Sequence, residues 1–267
     1  MRRRRENCNE AWLKTSLAVA RGAFLRLANT ASDLLFPPSC AGCGEHLARA
    51  GSLCGPCWAE VRFIDKPYCP VLGTPFSHDL GAEILSAEAI ADPPPFARSR
   101  SVAVHEGIIR EMVHSLKYND RLDLAPWMAA WLARAGAELL ADCDVIVPVP
   151  LHARRFWMRR SNQSAELARH VARRSDRPFE PDALKRVKRT RQQVGLGLSQ
   201  RTANVQGAFK VPPDREILVR GRNVLLIDDV YTTGATVKAA ARALLRSGAA
   251  RVDVLTFGRA IKQELPV

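Results

Sequence analysis

Residues 224–236 read Val224-Leu-Leu-Ile-Asp228-Asp229-Val-Tyr-Thr232-Thr233-Gly234-Ala-Thr236. Four branched apolar residues in succession predict a strand buried on both faces, as in a parallel sheet. Asp228 and Asp229 then stand at its carboxyl end, the edge where open α/β sheets take their ligands. A turn rich in hydroxyls and glycine follows, and it leads into the helix-forming run Val237-Lys-Ala-Ala-Ala-Arg-Ala-Leu-Leu-Arg246. Such a turn offers an anion its backbone N–H groups and the positive end of the helix dipole, and Gly234 permits close approach. Carboxylates beside an anion site suit a ligand with hydroxyls near a phosphate, the shape of ribose 5-phosphate.

P-loop ATPases also end an apolar strand in metal-binding carboxylates. They require a G-x-x-x-x-G-K-[ST] loop as well, and the chain has none. A purely structural strand–turn–helix has little reason to collect two carboxylates and three threonines at one sheet edge.

Working outward, Ser247-Gly248 ends the helix, and Arg251-Val-Asp-Val-Leu-Thr-Phe257 predicts a further strand. The short connection makes the two strands parallel neighbours with a right-handed crossover. Upstream, Asp144-Val-Ile-Val-Pro-Val-Pro-Leu-His152 is another short buried strand, ending in a proline-rich turn. Seven arginines lie between positions 153 and 174, against the single acidic residue Glu166. Within that run Ser161-Asn-Gln-Ser-Ala-Glu166 opens a helix, and the competing reading of the arginines is a solvated basic face. From Ala183 to Pro213 there are seven Lys or Arg and no carboxylate. The middle of this stretch, Arg189-Thr-Arg191-Gln-Gln193-Val-Gly195-Leu-Gly197-Leu-Ser-Gln-Arg201, suits a flexible lid that excludes water from a bound ligand. An ordinary surface loop is the alternative.

Ser101–His105 predicts a strand, Gly107–Tyr118 a helix, and Asp123–Leu140 a second helix with Trp127, Trp131 and Leu132 turned into the core. His105, Glu106 and His114 lack the H-E-x-x-H spacing of a zinc protease. Asp92-Pro-Pro-Pro-Phe96 reads as a stiff linker.

Toward the amino terminus, Cys40-Ala-Gly-Cys43 and Cys54-Gly-Pro-Cys57 are separated by ten residues. Four thiolates from two such knuckles are the ligand set of a closed structural zinc site, with no open position for catalysis. Cys69-Pro-Val-Leu-Gly73 resembles a knuckle that has lost its second cysteine, so one zinc ion is expected. Cys69 itself reads as a small buried hydrophobe. Two C-x-x-C pairs among seven cysteines, without a convincing secretory signal, favour metal binding in a reducing cytoplasm. Trp12, Leu13, Leu17, Phe24 and Leu27 share one face of an amphipathic helix. No stretch of about eighteen uncharged apolar residues occurs, which argues against a transmembrane span. The formal net charge of +13 calls for an anionic partner without saying which.

The thirteen residues from Val224 resemble the phosphoribosyl-pyrophosphate (PRPP) motif of type I phosphoribosyltransferases. In order along the chain come a cysteine ribbon, a Val-Pro-Val-Pro strand, a basic helix with Asn162-Gln163, a Gln-Val-Gly-Leu loop and the Asp-Asp motif. This order resembles the ComF family, double zinc ribbon and phosphoribosyltransferase proteins that are bacterial, cytoplasmic and associated with competence. The resemblance runs from Leu35 to the end. It implies an α/β type I phosphoribosyltransferase fold, a parallel sheet flanked by helices, preceded by a zinc ribbon. The implied organisation is an amphipathic helix at 1–34, the ribbon at 35–80 with Cys40, Cys43, Cys54 and Cys57 on zinc, a linker at 81–95 and the transferase domain at 96–267.

The resemblance also implies roles. Asp228 and Asp229 would hold the ribose hydroxyls, and Thr232, Thr233, Gly234, Ala235 and Thr236 the 5′-phosphate. The turn with Val149 and Pro150, with Arg154, Arg155 and Arg160, would receive pyrophosphate. Arg189, Arg191, Gln193 and Arg201 would belong to a mobile loop. Mg²⁺ would bridge pyrophosphate and ribose, and an unidentified nitrogen acceptor would attack C1′. The competing readings are a PRPP-binding protein without turnover, or an accessory protein that binds single-stranded DNA or a competence helicase. An aromatic content of 6% disfavours a dedicated DNA site.

Overall fold

The computed structural model describes residues 39–48, 53–78, 84–118, 121–151, 162–188 and 206–261. The N-terminal helix expected at 1–34 lies outside them. Met1–Cys54 and Gly55–Val267 form two compact units.

In the first unit, Cys40 to His46 fold into a tight knuckle. Cys40 N–H donates to the Glu45 carbonyl (2.7 Å) and Gly44 N–H to the Cys40 carbonyl (3.0 Å), closing a turn with Gly44 at φ +77°. A β-bridge from Ser39 to His46 clamps its base.

The second unit begins with short helices α1 (Gly55–Ala59) and α2 (Ala87–Ala91), followed by β1 (Arg98–Val104). Next come α3 (Gly107–Tyr118), α4 (Ala125–Ala135), α5 (Ala137–Asp142), β2 (Val145–Pro148) and α6 (Gln163–Ser175). After a small hairpin, β3 (Lys185–Arg186) and β4 (Phe209–Lys210), the chain forms β5 (Asn223–Tyr231), α7 (Ala235–Arg246) and β6 (Arg251–Arg259). The main sheet has the order β1-β6-β5-β2, and each of these pairings is parallel.

The all-apolar strands of the sequence are the buried centre of this sheet. Val224 and Leu226 share a core with Val237, Ala240, Ala241 and Leu244 of α7, while Val145 and Val147 extend it on β2. Side chains alternate along a strand, so Leu225 and Ile227 face the other way, and both are fully buried. Helices α4 and α6 pack on each other and on the sheet. Their amphipathic spacing is what makes both layers possible.

Two details depart from the sequence reading. Strand β5 runs past the aspartates to Tyr231, because β6 continues alongside it and pairs Val230 with Gly258 and Tyr231 with Arg259. The helix expected over Asp123–Leu140 breaks at Gly136. A Cβ there would come within 2.7 Å of the Leu255 side chain and 3.2 Å of the Leu132 carbonyl, so the helix can lie this close to the sheet only through a glycine.

The segment around Cys69 is knitted to the edge strand. Ile64 N–H donates to the Val102 carbonyl, Val104 N–H to the Arg62 carbonyl, and Ser99 N–H to the Val71 carbonyl (3.0, 2.9 and 2.7 Å). Gly73, at φ +66°, passes so close to Ser99 that a Cβ would lie 2.3 Å from its carbonyl oxygen. The buried Arg259 guanidinium donates to the Leu72 carbonyl and Thr74 Oγ1 (2.7 and 2.8 Å). An edge that would otherwise expose unpaired backbone is thereby covered. The proline segment is also fastened: Asp92 Oδ2 pairs with Lys238 Nζ at 2.8 Å, and Phe96 is buried edge-on to Tyr231.

Candidate functional site

The carboxyl ends of β1, β5 and β6, with the N-terminus of α6 and the last turn of α3, surround Asp228 and Asp229. Asp228 is buried, and its Oδ1 accepts hydrogen bonds from Ser164 Oγ and from the Asp229 backbone N–H, both at 2.9 Å. Burial, then the neighbouring Asp229 charge, pushes the Asp228 carboxyl up to about 7, against the hydrogen bonds and Lys117 that favour ionisation. Asp229 Oδ2 instead meets Lys117 Nζ at 2.9 Å, with both side chains largely buried. Burial opposes the Lys117 charge, but Asp229 outweighs it and holds the ammonium above its ordinary value. Adjacent carboxylates thus have different environments, one screened by a hydroxyl and one neutralised by a cation.

His105, just beyond β1, completes this edge. Its Nδ1 is buried with no hydrogen-bond partner among the described residues. Gly258 leaves room for the ring, since a Cβ there would lie 2.9 Å from Nδ1. Burial and then the Lys117 charge lower its pKa, so the ring is neutral at physiological pH.

The turn after β5 closes through Gly234, which caps α7 at φ +71°. A Cβ at this position would lie 2.3 Å from the Tyr231 hydroxyl oxygen, so both the conformation and the space demand glycine. Thr232 is exposed and Thr233 and Thr236 half-buried around the first turn of α7, while Ala235 is buried. The Tyr231 ring beneath the turn is held under the Arg259 guanidinium, 4.3 Å from the ring centroid. Thr233 Oγ1 accepts from the Ala235 N–H (3.5 Å) beside the Gly234 cap, and a helix start of this kind is able to receive an oxyanion.

Beside β5, Val149 N–H donates to the Ile227 carbonyl (2.9 Å), and Asn162 Nδ2 donates to the Val149 carbonyl (3.3 Å). Asn162 therefore pins the Val149-Pro150 turn and makes no side-chain cap on α6. Arg154, Arg155 and Arg160 lie outside the described residues, as do Arg189, Arg191, Gln193 and Arg201.

Sequence reasoning did not find Ser164, Lys117 or His105 as neighbours of the aspartates. Ser164 sits one position into α6, where a serine reads as helix-start chemistry. Lys117 carries only the signal of a basic residue in a last helical turn. No residue pattern announces either pairing.

In the cysteine cluster, the four sulfurs of Cys40, Cys43, Cys54 and Cys57 lie within 4.8 Å of one another. Gly42 N–H and Cys54 N–H point at Cys40 Sγ (3.4 and 3.3 Å). Burial works against ionising Cys40, but N–H groups from Cys54, Cys43 and Gly42 outweigh it and bring the thiol down to about 6. Four converging sulfurs with amide donors aimed at a thiolate fit one structural zinc ion. Cys69 is outside the cluster. Its buried sulfur accepts N–H groups from Leu72 and Ser86 (both 3.4 Å) and organises a tight turn.

With the geometry in place, two family descriptions match the chain: "Double zinc ribbon domain" over residues 31–89 and "Phosphoribosyl transferase domain" over residues 161–267. The chain is 33% identical over 235 residues to the DNA utilization protein YhgH of Escherichia coli strain K12, covering 85% of this chain and all of that one. The chain belongs to the ComF family. Competence protein F of Haemophilus influenzae is 26% identical over 80% of this ComF chain and 93% of its own length. Competence protein ComFC of Bacillus subtilis is 27% identical over 78% and 84% respectively. The parallel sheet with its flanking helices is the type I phosphoribosyltransferase fold, preceded by the zinc-ribbon cysteines. No described helix of this ComF protein is long and apolar enough to cross a membrane.

Proposed function

We propose that this ComF-family protein binds PRPP with Mg²⁺ and transfers its phosphoribosyl group to a nitrogen acceptor, releasing pyrophosphate. One observation carries the reading. Asp228 and Asp229 stand near the carboxyl end of β5, which leads through a short turn into the glycine-capped start of α7, so hydroxyl acceptors and an oxyanion cradle are brought near one another. Asp228 and Asp229 hold the ribose 2′- and 3′-hydroxyls. The turn from Thr232 to Thr236 holds the 5′-phosphate, and the Val149-Pro150 turn lies where pyrophosphate would rest. Arg154, Arg155 and Arg160, and Arg189, Arg191, Gln193 and Arg201 in the lid, supply positive charge to pyrophosphate in this scheme. Mg²⁺ supplies charge neutralisation of the pyrophosphate when bound. The protein's own contribution is orientation and fixed dipoles.

The relatives named for DNA utilization and competence support a place in the handling of incoming DNA. Action in the cytoplasm belongs to the same reading, since the clustered cysteines are free thiols suited to a reducing compartment.

The deciding experiment titrates PRPP and Mg²⁺ by calorimetry and measures pyrophosphate release across a panel of bases and amines. Asp228→Asn with Asp229→Asn should abolish binding while the protein stays folded, each charged hydrogen bond contributing roughly 1.5–3 kcal/mol. Undiminished binding by the double variant would remove the site assignment. Binding by the wild type without release for any acceptor would leave a PRPP sensor.

A further inference from the structure

A second concave site lies along the edge strand, away from the carboxyl ends of the sheet. It is a cavity of about 340 Å³ between the segment after α1, the middle of β1 and the outer side of α4. No residue of the β5–α7 turn and neither aspartate lines it.

One wall is aromatic. Trp58, Phe63 and Trp131 converge with ring centroids 5.0–5.4 Å apart. Trp131 is anchored from behind by the buried Phe257, stacked at 6.0 Å and 12°. The outer rings are left open, Trp58 49% and Phe63 36% exposed. The tryptophan expected in the core, Trp131, is thus half-buried and backs the more exposed rings of Trp58 and Phe63.

The other wall is cationic. Arg100 is committed: it lies over Tyr68 at 4.5 Å, pairs with Glu138 and donates to the Pro70 and Ser99 carbonyls. Lys66 and Arg134 also line the cavity, both exposed, and neither has an ion-pair partner among the described residues. Asp65 is the one carboxylate among the described lining residues. Exposed aromatic rings beside two cations that have no ion-pair partner among the described residues suit a ligand that is planar at one end and anionic at the other. An apolar ligand would leave the cations without purpose, and a bare phosphate would leave the rings so. A base stacks on aromatic faces whatever its identity, and a cavity of this size is in the range of small-ligand sites.

We infer that this cavity binds a nucleotide, its base against Trp58 and Phe63 and its phosphate at Lys66 and Arg134. Such a group can arrive as a free mononucleotide or within a single strand, and both present the same chemistry. The site is independent of the proposed PRPP site.

The test uses the full-length zinc-loaded protein with saturating PRPP and Mg²⁺, so that the ribose-phosphate turn is blocked. Deoxyadenosine 5′-monophosphate, deoxyadenosine and a ten-residue oligodeoxyadenylate are titrated, following tryptophan fluorescence and calorimetry. Binding of the monophosphate at least tenfold tighter than the nucleoside is expected. An oligonucleotide at least a hundredfold tighter than the monophosphate identifies a strand, and equal affinities identify a free nucleotide. Lys66→Glu with Arg134→Glu should weaken binding at least tenfold and flatten its salt dependence. Trp58→Ala should weaken it several-fold with the salt dependence unchanged. Asp228→Asn with Asp229→Asn should leave it intact whether or not PRPP still binds. Unfolding midpoints and zinc content serve as fold controls for each variant. Absence of binding by every probe overturns the inference. So does binding that survives both cavity variants, or binding lost in the aspartate variant.

Discussion

Lys117 Nζ lies 2.9 Å from Asp229 Oδ2, joining the end of α3 to the end of β5 across more than a hundred residues of chain. Without that ammonium, two adjacent carboxylates would share a buried edge with only Ser164 and a backbone N–H for support. Lys117→Met should therefore destabilise the fold by about 1–3 kcal/mol, the cost of leaving a mostly buried partner unpaired. Urea unfolding measures it. If Asp229→Asn abolishes the cost of Lys117→Met in a double-mutant cycle, the coupling is confirmed, and additive losses would place the effect elsewhere.

Asp228 gives the site a pH dependence whose sign is determined. Its folded pKa is raised, to about 7, above the ordinary 3.8. Between those values the folded state holds a proton that the unfolded chain has released. The associated stability is present at low pH, falls as pH rises from about 4, and is gone above about 7. Asp228→Asn should flatten this part of the stability–pH curve.

The same titration acts oppositely on ligand binding. A ribose hydroxyl needs a carboxylate to accept its proton, so PRPP affinity should rise as pH passes up through about 7. Calorimetry at pH 6, 7 and 8 checks this, and affinity that is flat or falling across the interval would contradict the role given to Asp228.

Gly234 is held at φ +71° with the Tyr231 hydroxyl 2.3 Å from where a Cβ would stand. Gly234→Ala should cost about 1–3 kcal/mol of stability through backbone strain and displacement of Tyr231. It should also lower PRPP affinity, because the helix start loses its aim. A variant of wild-type midpoint and affinity would show that the turn tolerates a side chain.

Removing zinc tests the cysteine cluster. Cys54→Ser should lower bound zinc from one ion per chain toward none by elemental analysis, and remove a contribution on the order of 10 kcal/mol to the order of the knuckles. The parallel sheet has its own core of Val145, Val224, Leu226 and Val254, and its circular dichroism signal should survive.

Local chemistry was legible where one stretch of chain does the whole job. The buried strands, the helix after Gly234 and the paired cysteines all follow from residue spacing, because burial on both faces, helix periodicity and thiolate geometry are short-range requirements. The break at Gly136 was not legible. A glycine inside a helical pattern carries no mark that Leu255 lies against it. Nor was the edge cover: Gly73 looks like part of a failed knuckle, and its use is the close passage over Ser99.

The sequence by itself determined the buried strands of the parallel sheet, the Asp228-Asp229 pair before a glycine-capped helix, and a four-cysteine metal site. These are written in contiguous residues. Only the tertiary structure decided which groups meet those residues: Ser164 on Asp228, Lys117 on Asp229, and Trp58 with Phe63 and Trp131 around the edge cavity. A parallel sheet joins strands distant in sequence, and packing alone sets which side chains arrive at its edges.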